Sequence, residues 1–402
     1  MRAHEVDERL GRLVATLGVA GGVGITALGA VAVRGGDLSV EVVAAWVAVS
    51  LLGAASLRWL RAGRRSQWVL AWLVISVVTV APEWMLRVGG FRYESGIEFG
   101  FPRPEHFHRF VRDAQLLWTL DPAVEGVNAR GLPGAELSVG KERGTFRILY
   151  LGDSCTYEKA HLLAYPSLVQ ERRASRAKGV VQDDYVSLAV PGYSTHQGRV
   201  LAERYGASLD ADVAVVLFGW NDHWLAYGQT DSEKVVVPTQ GARVANWAHV
   251  NLRLVQFASW LVSSQSQVSS EGGRVLRRVP APEFERNLRA VARVFQSQGV
   301  PVVLVTAPST HREFGVPSYL VERGFTPDEA TAIADHEQYQ EVVRTLAAAE
   351  GVLLLDLADR LADVEPSRLG ALFRADGIHF SPVGAAWVAR EVDAFIEGHV
   401  SR

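Results

Sequence analysis

The stretch ILYLGDSCTYE, Ile148–Glu158, changes abruptly from an apolar run to the polar tripeptide Gly152-Asp153-Ser154. The apolar run predicts a buried strand, and the tripeptide predicts a turn at its end, because Gly, Asp and Ser are ordinary turn residues. Two interpretations of Ser154 therefore stand at this point: a nucleophile at the end of a strand, or a polar residue in a turn. The remaining segments decide between them.

Four more apolar segments follow this first strand and alternate with helical ones. Their Val, Leu and Ile residues run continuously, which is typical of strands buried on both faces. The alternation predicts an α/β fold with a five-stranded parallel sheet covered by helices on both sides. The predicted strands are Phe146–Leu151, Tyr185–Val190, Val213–Phe218, Val302–Thr306 and Val352–Leu357. The predicted helices are Tyr165–Lys178, Thr195–Ser208, Glu283–Gln298, Asp328–Glu350 and Pro382–Glu397.

Polar groups follow the predicted strands at the points where a ligand is expected. In open parallel sheets, ligands bind beyond the carboxyl ends of the strands. The first strand is followed by Gly152-Asp153-Ser154, the second by Pro191-Gly192-Tyr193 and the third by Gly219-Trp220-Asn221-Asp222, while Asp376-Gly377-Ile378-His379 precedes the last helix. We expect these four segments to meet at one edge of the sheet.

These residue types match the requirements of ester chemistry. A serine hydroxyl is a poor nucleophile until a base takes its proton, and the base needs a group that fixes its tautomer. We predict His379 as the base and Asp376 as the orienting carboxylate for Ser154. The candidate oxyanion donors are the backbone N–H groups of Ser154 and Gly192 and the side-chain amide of Asn221.

The four segments resemble those of the SGNH (GDSL-like) hydrolases, a family named for a Ser, a Gly, an Asn and a His in separate blocks. Ser154, Gly192, Asn221 and His379 match these blocks in order, and the resemblance covers residues 145–402. It implies a flavodoxin-like three-layer α/β/α sandwich and hydrolysis or transfer of ester-linked acyl groups, without metal or organic cofactor. The stretch GVNARGLPGAE, Gly126–Glu136, is similar to the lead-in of membrane-anchored members. Ser187 departs from the asparagine that many members carry before the Gly block.

Other polar residues offer competing assignments. Asp153 and Asp222 could form a carboxylate acid/base pair, but we expect supporting roles in which each bonds its own loop. The competing bases are His196, His223, His311 and His336. His379 is favoured over them because Asp376 lies on the same loop.

Residues 1–90 are predicted to be a membrane anchor with three transmembrane helices at about 13–33, 40–60 and 66–86. Arginines precede the first span and fill the second loop, so the N-terminus is expected in the cytoplasm. An odd number of crossings then places the rest of the chain outside a bacterial plasma membrane, in the periplasm or the extracellular space. The alternative is a cleaved signal peptide, because Ala30-Val31-Ala32 resembles a cleavage site. The long apolar run favours an uncleaved anchor.

Two further segments have their own expected roles. Residues 91–144 are proline-rich and predicted to be an irregular juxtamembrane connector before the SGNH hydrolase domain at 145–402. An insertion at about 224–280 interrupts the strand–helix alternation. Its amphipathic part, Val244–Val262, could cap the site, line an acyl pocket, rest on the membrane, or be an ordinary packed helix.

Composition excludes several classes of function. The 402 residues carry a formal net charge of −3, so no basic excess exists to bind nucleic acid. The single cysteine, Cys155, excludes an internal disulfide and a cysteine-clustered metal site. The sequence thus predicts a membrane-anchored, extracytoplasmic serine esterase with an acyl-ester substrate, such as an acylated cell-surface glycan. The alternatives are an O-acyltransferase acting on cell-surface polysaccharide and a non-catalytic surface-binding protein that retains the fold.

Overall fold

The structure is a computed structural model that describes residues 82–91, 110–137, 140–157, 164–176, 182–226, 229–234, 248, 251–263, 270–271 and 274–400. The described residues belong to two compact units. Residues 82–91, 248 and 251–263 lie in the first unit and the remainder lie in the second. The predicted spans at about 13–33 and 40–60, and most of that at 66–86, lie outside the described residues. Within the described part of the chain, no helix has the length and apolar character needed to cross a bilayer.

A five-stranded parallel sheet forms the centre of the second unit, which confirms the predicted α/β fold. Its strands are β3 (Thr145–Gly152), β4 (Gln182–Ser187), β5 (Val213–Leu217), β8 (Val302–Val305) and β9 (Leu353–Leu355). They lie in the order β4-β3-β5-β8-β9, and each neighbouring pair is parallel. This is the flavodoxin-like 2-1-3-4-5 order, in which the first strand of the sheet lies beside the point where the strand order reverses.

Helices cover both faces of this sheet, so the unit has three layers. One apolar layer packs β3, β5 and β8 against α1 (Tyr165–Arg176), α6 (Ser318–Glu322), α8 (Leu357–Ala362), α9 (Pro366–Leu372) and α10 (Pro382–His399). The other packs them against α2 (Thr195–Tyr205), α4 (Ala281–Gln296) and α7 (Glu329–Glu350). The strands are buried on both faces, as their unbroken apolar sequence predicts. A short helix, α5 (His311–Phe314), follows β8.

Local sequence signals set the ends of the two longest helices. Asp328 precedes α7 and its carboxylate accepts a hydrogen bond from the N–H of Thr331 at 2.7 Å, while Gly351 ends the helix in the left-handed conformation. Ser381 caps α10 in the same manner, with Pro382 at the first helical position. The last helix therefore begins three residues after His379, and its cap lies on the loop that carries the predicted base.

The segment predicted to be an irregular connector contains regular structure. β1 (Phe110–Asp113) and β2 (Leu117–Leu120) form a two-stranded antiparallel sheet. Leu116, Leu117, Trp118 and Leu120 are buried in the same apolar layer as α2 and α4. The prediction failed because proline content indicates loops but carries no information about apolar side chains that pack against a distant sheet.

The first unit contains a helical segment at 82–88 and the amphipathic helix α3 (Arg253–Ser263). The buried carboxylate of Glu83 accepts hydrogen bonds from the N–H groups of Arg253 at 2.9 Å and Leu254 at 2.7 Å, and so satisfies the amino end of α3. Phe91, Phe257 and Trp260 form an aromatic cluster between the two segments. Two short antiparallel strands of the second unit, β6 (Ser270–Glu271) and β7 (Arg274–Val275), follow in the chain.

Candidate active site

Ser154 lies at the carboxyl end of β3, the strand between the switch-point neighbours β4 and β5. The chain turns sharply there, because the carbonyl of Asp153 accepts hydrogen bonds from the N–H groups of Thr156 and Tyr157. The Asp153 carboxylate, which is fully buried, accepts a further bond from the N–H of Cys155 at 2.8 Å. Ser154 itself remains partly exposed, so its hydroxyl stands at the accessible end of an otherwise buried strand.

A chain of hydrogen bonds joins Ser154 to His379 and Asp376. The Nε2 atom of His379 lies 2.8 Å from Oγ of Ser154, and Nδ1 of His379 lies 2.8 Å from Oδ2 of Asp376. The other oxygen of Asp376 accepts the N–H groups of Ile378 at 2.9 Å and His379 at 2.8 Å. Partial burial alone would raise the pKa of Asp376, but the bonds from His379 and Ile378 outweigh it and lower the pKa to about 2. Asp376 is therefore ionised at neutral pH and holds His379 with Nδ1 protonated and Nε2 facing the serine.

Among the described residues, two predicted oxyanion donors have N–H groups that are available to donate to a ligand oxygen. Within the described part of the chain, the N–H groups of Ser154 and Gly192 donate no hydrogen bond. Gly192 has a φ of +80°, a conformation that residues with a Cβ rarely adopt. The third predicted donor differs. Both hydrogens of the Asn221 amide are engaged, one by Oδ2 of Asp153 at 3.1 Å and the other by the carbonyl of Tyr193 at 3.0 Å.

Asn221 thus connects the segments that carry Ser154 and Gly192. Its amide bonds one residue adjacent to each of them, Asp153 and Tyr193. Asp222, the next residue, does not bond its own loop as the sequence analysis expected. Oδ1 of Asp222 accepts the N–H of Thr195 at 2.8 Å and the hydroxyl of the same residue at 2.5 Å, and so satisfies the amino end of α2. Burial raises the pKa of Asp222 to about 7 although these bonds oppose the increase.

The competing histidines are engaged away from the serine hydroxyl. Nε2 of His336 lies 2.8 Å from the carbonyl of Ala307, and its Nδ1 lies 3.2 Å from Nε2 of His223. Burial lowers the pKa of His336 to about 3 and places that of His223 well below its usual range, so both rings are neutral. Nε2 of His196 bonds the carbonyl of Gln115 at 3.3 Å.

His311 touches the predicted site in a way that the sequence analysis missed. Its Nε2 lies 2.7 Å from the backbone carbonyl of Asp376, so the ring donates to the loop that carries the orienting carboxylate. The N–H of Thr310 bonds the carbonyl of Gly377 on the same loop at 3.3 Å. The available signal was topological: His311 follows β8 at the carboxyl edge of the sheet, where ligands are expected.

Cys155, the residue that follows Ser154, is buried, and its Sγ lies 3.7 Å from the carbonyl of Ile378. Two more buried residues that the sequence did not single out bond the Gly192 segment. They are Trp118, which donates to the carbonyl of Pro191, and Arg278, which donates to the carbonyl of Gly192. No local pattern marks either residue, because each acts across a large separation in sequence.

Comparison with known proteins shows a match to one protein family and similarity to several solved structures. The model of the GDSL-like Lipase/Acylhydrolase family matches residues 150–387, which is more than half of the chain. No curated protein matches. Among solved structures, a lipase/acylhydrolase from Enterococcus faecalis is similar at 18% identity and a TM-score of 0.41, covering 64% of this chain and 97% of that one. An acetyl xylan esterase is similar at 18% identity and a TM-score of 0.39, covering 62% and 98%. A GDSL-like lipase from Bacteroides thetaiotaomicron is similar at 12% identity and a TM-score of 0.37, covering 63% and 87%.

Proposed function

Because this chain belongs to the GDSL-like lipase/acylhydrolase family and is an ester-hydrolysing enzyme, we propose that Ser154, His379 and Asp376 are its catalytic triad. The observation that carries the proposal is the continuous hydrogen-bonded path from Oγ of Ser154 through the His379 ring to Oδ2 of Asp376, with 2.8 Å at each step. The backbone N–H groups of Ser154 and Gly192, which donate to no other group among the described residues, support it.

The geometry suits acyl transfer through a covalent intermediate. Oγ of Ser154 attacks the ester carbonyl carbon while Nε2 of His379 accepts the hydroxyl proton. The N–H groups of Ser154 and Gly192 stabilise the oxyanion that forms, and loss of one such donor typically costs about 3–4 kcal/mol of transition-state stabilisation. The C–O bond to the leaving alkoxide breaks, and His379 returns its proton to that oxygen. Water, deprotonated by His379, then attacks the carbonyl carbon of the acyl-serine. The bond from that carbon to Oγ breaks, His379 returns the proton to Oγ, and the carboxylic acid is released.

The proposal includes a membrane anchor that holds the enzyme outside the cytoplasm. Its support is the sequence of residues 1–90: three apolar segments, with arginines before the first and between the second and third. An enzyme held in this way would act on acyl esters at or beyond the cell surface, such as acylated glycans. A reporter that is active only in the periplasm, fused after residue 402, tests the orientation. An inactive fusion, alongside an active one fused in the loop after the first span, contradicts the proposed topology.

Activity is tested with the full-length protein in detergent, using p-nitrophenyl acetate turnover and fluorophosphonate labelling. We expect both to be lost in Ser154→Ala. A matched control is Ser175→Ala, because Ser175 is exposed and, among the described residues, its hydroxyl bonds only the carbonyl of Arg172. Equal labelling of wild type and Ser154→Ala would overturn the serine assignment. Acyl release that requires an added carbohydrate acceptor would identify an O-acyltransferase that uses the same three residues.

A further inference from the structure

Gly192 lies at the third position of a tight turn whose central peptide has two possible orientations. The N–H of Tyr193 bonds the carbonyl of Val190 at 3.2 Å, with Pro191 second and Gly192, at a φ of +80°, third. These residues and this backbone are those of a type II turn. A type I turn closes the same four residues with the central peptide turned over by about 180°, and Pro-Gly is compatible with both. The turn sequence alone therefore leaves open which side of the turn the Gly192 N–H faces.

Trp118 selects one orientation from outside the turn. Its indole N–H donates to the carbonyl of Pro191 at 3.3 Å, and the ring is buried. Because the Pro191–Gly192 peptide is trans, its carbonyl and the N–H of Gly192 point in opposite directions. The indole bond therefore holds that N–H on the side away from Trp118, where it has no partner among the described residues.

The indole is itself fixed in place. The hydroxyl of Tyr193 donates to the carbonyl of Trp118 at 2.7 Å, and the two rings pack edge to face with centroids 5.5 Å apart. A Cβ added to Gly192 would lie 3.2 Å from Cζ2 of Trp118, so a larger residue at this position would require the ring or the turn to shift by a few tenths of an ångström. A turned-over peptide would take away the carbonyl to which the buried indole N–H donates in this structure, and losing that hydrogen bond is costly.

Arg278 holds the next carbonyl of the same turn. Its Nη2 donates to the carbonyl of Gly192 at 3.0 Å and to Oδ2 of Asp231 at 2.6 Å. Arg278 is 2% exposed and Asp231 fully buried, so this ion pair is well shielded from solvent. Burial alone would raise the pKa of Asp231, but the positive charges of Arg278 and Lys234 lower it to about 2. Asp231 also accepts the hydroxyl of Ser194 at 2.8 Å, which fixes the residue that follows the turn.

We propose that Trp118 and Arg278 are positioning residues that hold the Pro191–Gly192 peptide with its N–H directed to the oxyanion of the reaction. This inference rests on the proposed role of Gly192. The inference assigns a function to two segments that the sequence did not predict to be part of the site. Trp118 lies in β2, within the predicted connector, and Arg278 and Asp231 lie within the predicted insertion. Neither residue touches the substrate; each acts on the oxyanion donor.

The decisive variant is Trp118→Phe, which keeps an aromatic ring and removes the N–H. We expect kcat for p-nitrophenyl acetate to fall by about 10- to 100-fold with KM within about twofold, because the lost interaction acts only in the transition state. The inhibition constant of phenylboronic acid, which forms a tetrahedral adduct with serine, should rise by a similar factor. Arg278→Lys keeps a charge beside Asp231 but has no second nitrogen for the Gly192 carbonyl, and the same pattern is expected.

Trp387→Phe is the matched control, because it also shrinks a buried indole but lies on α10 in the other apolar layer. It should lower the Tm and leave kcat unchanged. If Trp118→Phe does not fold, benzothienylalanine at position 118 keeps the ring shape without the N–H and decides the matter. The inference is overturned if the folded Trp118 variant has the same kcat and the same affinity for phenylboronic acid as the wild type. The triad would still be supported in that case, provided that the wild type turns over substrate and Ser154→Ala does not. Absence of that wild-type turnover would instead count against the proposed function.

Discussion

The Nε2 atom of His379 and Oγ of Ser154 lie 2.8 Å apart although 225 residues separate them in the chain. Ser154 lies two residues after the end of the strand β3, and His379 lies on the loop before the last helix, α10. A parallel sheet achieves this contact because all of its strands end at the same edge, so loops that are distant in sequence become neighbours. The contact also requires the His379 ring to have one tautomer, and Asp376 is the group that selects it.

The variant Asp376→Asn tests this selection. An amide nitrogen in place of Oδ2 would donate to Nδ1 of His379, so the ring proton would move to Nε2 and the ring could no longer accept the serine proton. We expect kcat to fall by about 10³- to 10⁴-fold, while the amide oxygen keeps the bonds to the N–H groups of Ile378 and His379. The measurement is p-nitrophenyl acetate turnover together with the Tm. Asp359→Asn changes an exposed aspartate on α8 and should leave turnover intact; a kcat for Asp376→Asn within threefold of that control would contradict the assignment.

Gly377→Ala should disturb the loop that carries Asp376 and His379. Gly377 has a φ of +68°, and an added Cβ would lie 2.7 Å from Cδ2 of His311 and 3.0 Å from Oγ1 of Thr310. We expect two effects. A residue with a Cβ in the left-handed conformation strains the backbone by about 1–2 kcal/mol, and the close contacts displace this loop. We predict a drop of at least about 10-fold in kcat, since small errors in catalytic geometry have large effects.

The control separates strain from displacement. Gly351 also has a positive φ, +63°, but no atom of the described residues lies within 4 Å of an added Cβ, and Gly351 ends α7 rather than bordering the site. Gly351→Ala should lower the Tm to a similar extent and keep full turnover. Equal kcat values for the two alanine variants would mean that the close approach of His311 to Gly377 has no catalytic importance.

The sheet was predictable from the sequence because its strands carry unbroken apolar runs. β3 and β5 were predicted to within one residue at each end. β4 was predicted at Tyr185–Val190 and is observed at Gln182–Ser187. Its register is set by pairing with β3, where Thr145 lies opposite Gln182, while Leu188, Ala189 and Val190 are buried beyond the end of the strand. Hydrophobicity reports burial, and pairing depends on the neighbouring strand.

The site was predictable only in part, for a related reason. Ser154, Asp376 and His379 could be inferred because their chemistry requires specific residue types after strand ends. Trp118 and Arg278 bond the Gly192 turn across separations of 73 and 86 residues through backbone carbonyls. A backbone carbonyl is present at every residue and can accept from many kinds of donor, so no sequence pattern predicts such contacts.

Asp393 should be important for stability and unimportant for turnover. It lies fully buried on α10 and faces three arginines of α1, with Arg176 at 2.6 Å, Arg172 at 3.3 Å and Arg173, itself 2% exposed, at 3.6 Å. Removing one partner of a buried ion pair typically costs about 3–5 kcal/mol because the other charge stays in a poorly solvated place. Asp393→Ala should therefore lower the free energy of unfolding, measured with urea in detergent, by about 3 kcal/mol with kcat unchanged. Glu397→Ala removes an exposed partner of Arg176, 3.4 Å away, and should cost less than about 1 kcal/mol; equal losses in the two variants would contradict this assignment.

Asp222 should make the stability of the wild-type protein fall between weakly acidic and neutral pH. Its folded-state pKa is raised to about 7, chiefly by burial, whereas an aspartate in the unfolded chain has a pKa of about 3.9. Between these values the folded protein holds a proton that the unfolded chain releases. This group's stabilising contribution is therefore complete below about pH 4 and decreases by up to about 1.4 kcal/mol per pH unit until the pH passes about 7. Arg278 and Asp231 are the charges that act on it, and Asp231 stays ionised throughout this range because its pKa is lowered to about 2.

The variant Asp222→Asn isolates that contribution, because an amide resembles the protonated carboxyl and keeps an acceptor for the N–H and hydroxyl of Thr195. Its free energy of unfolding, relative to wild type, should rise steadily from pH 4.5 to pH 7.5, since only the wild type loses stability through Asp222. Urea unfolding of both full-length proteins at a series of pH values provides the measurement. Ser175→Ala, which changes an exposed side chain and no ionisable group, is the control whose difference from wild type stays constant. A pH-independent difference for Asp222→Asn as well would show that the buried carboxyl ionises in the folded protein as readily as in the unfolded chain, and that the bonds from Thr195 fully compensate its burial.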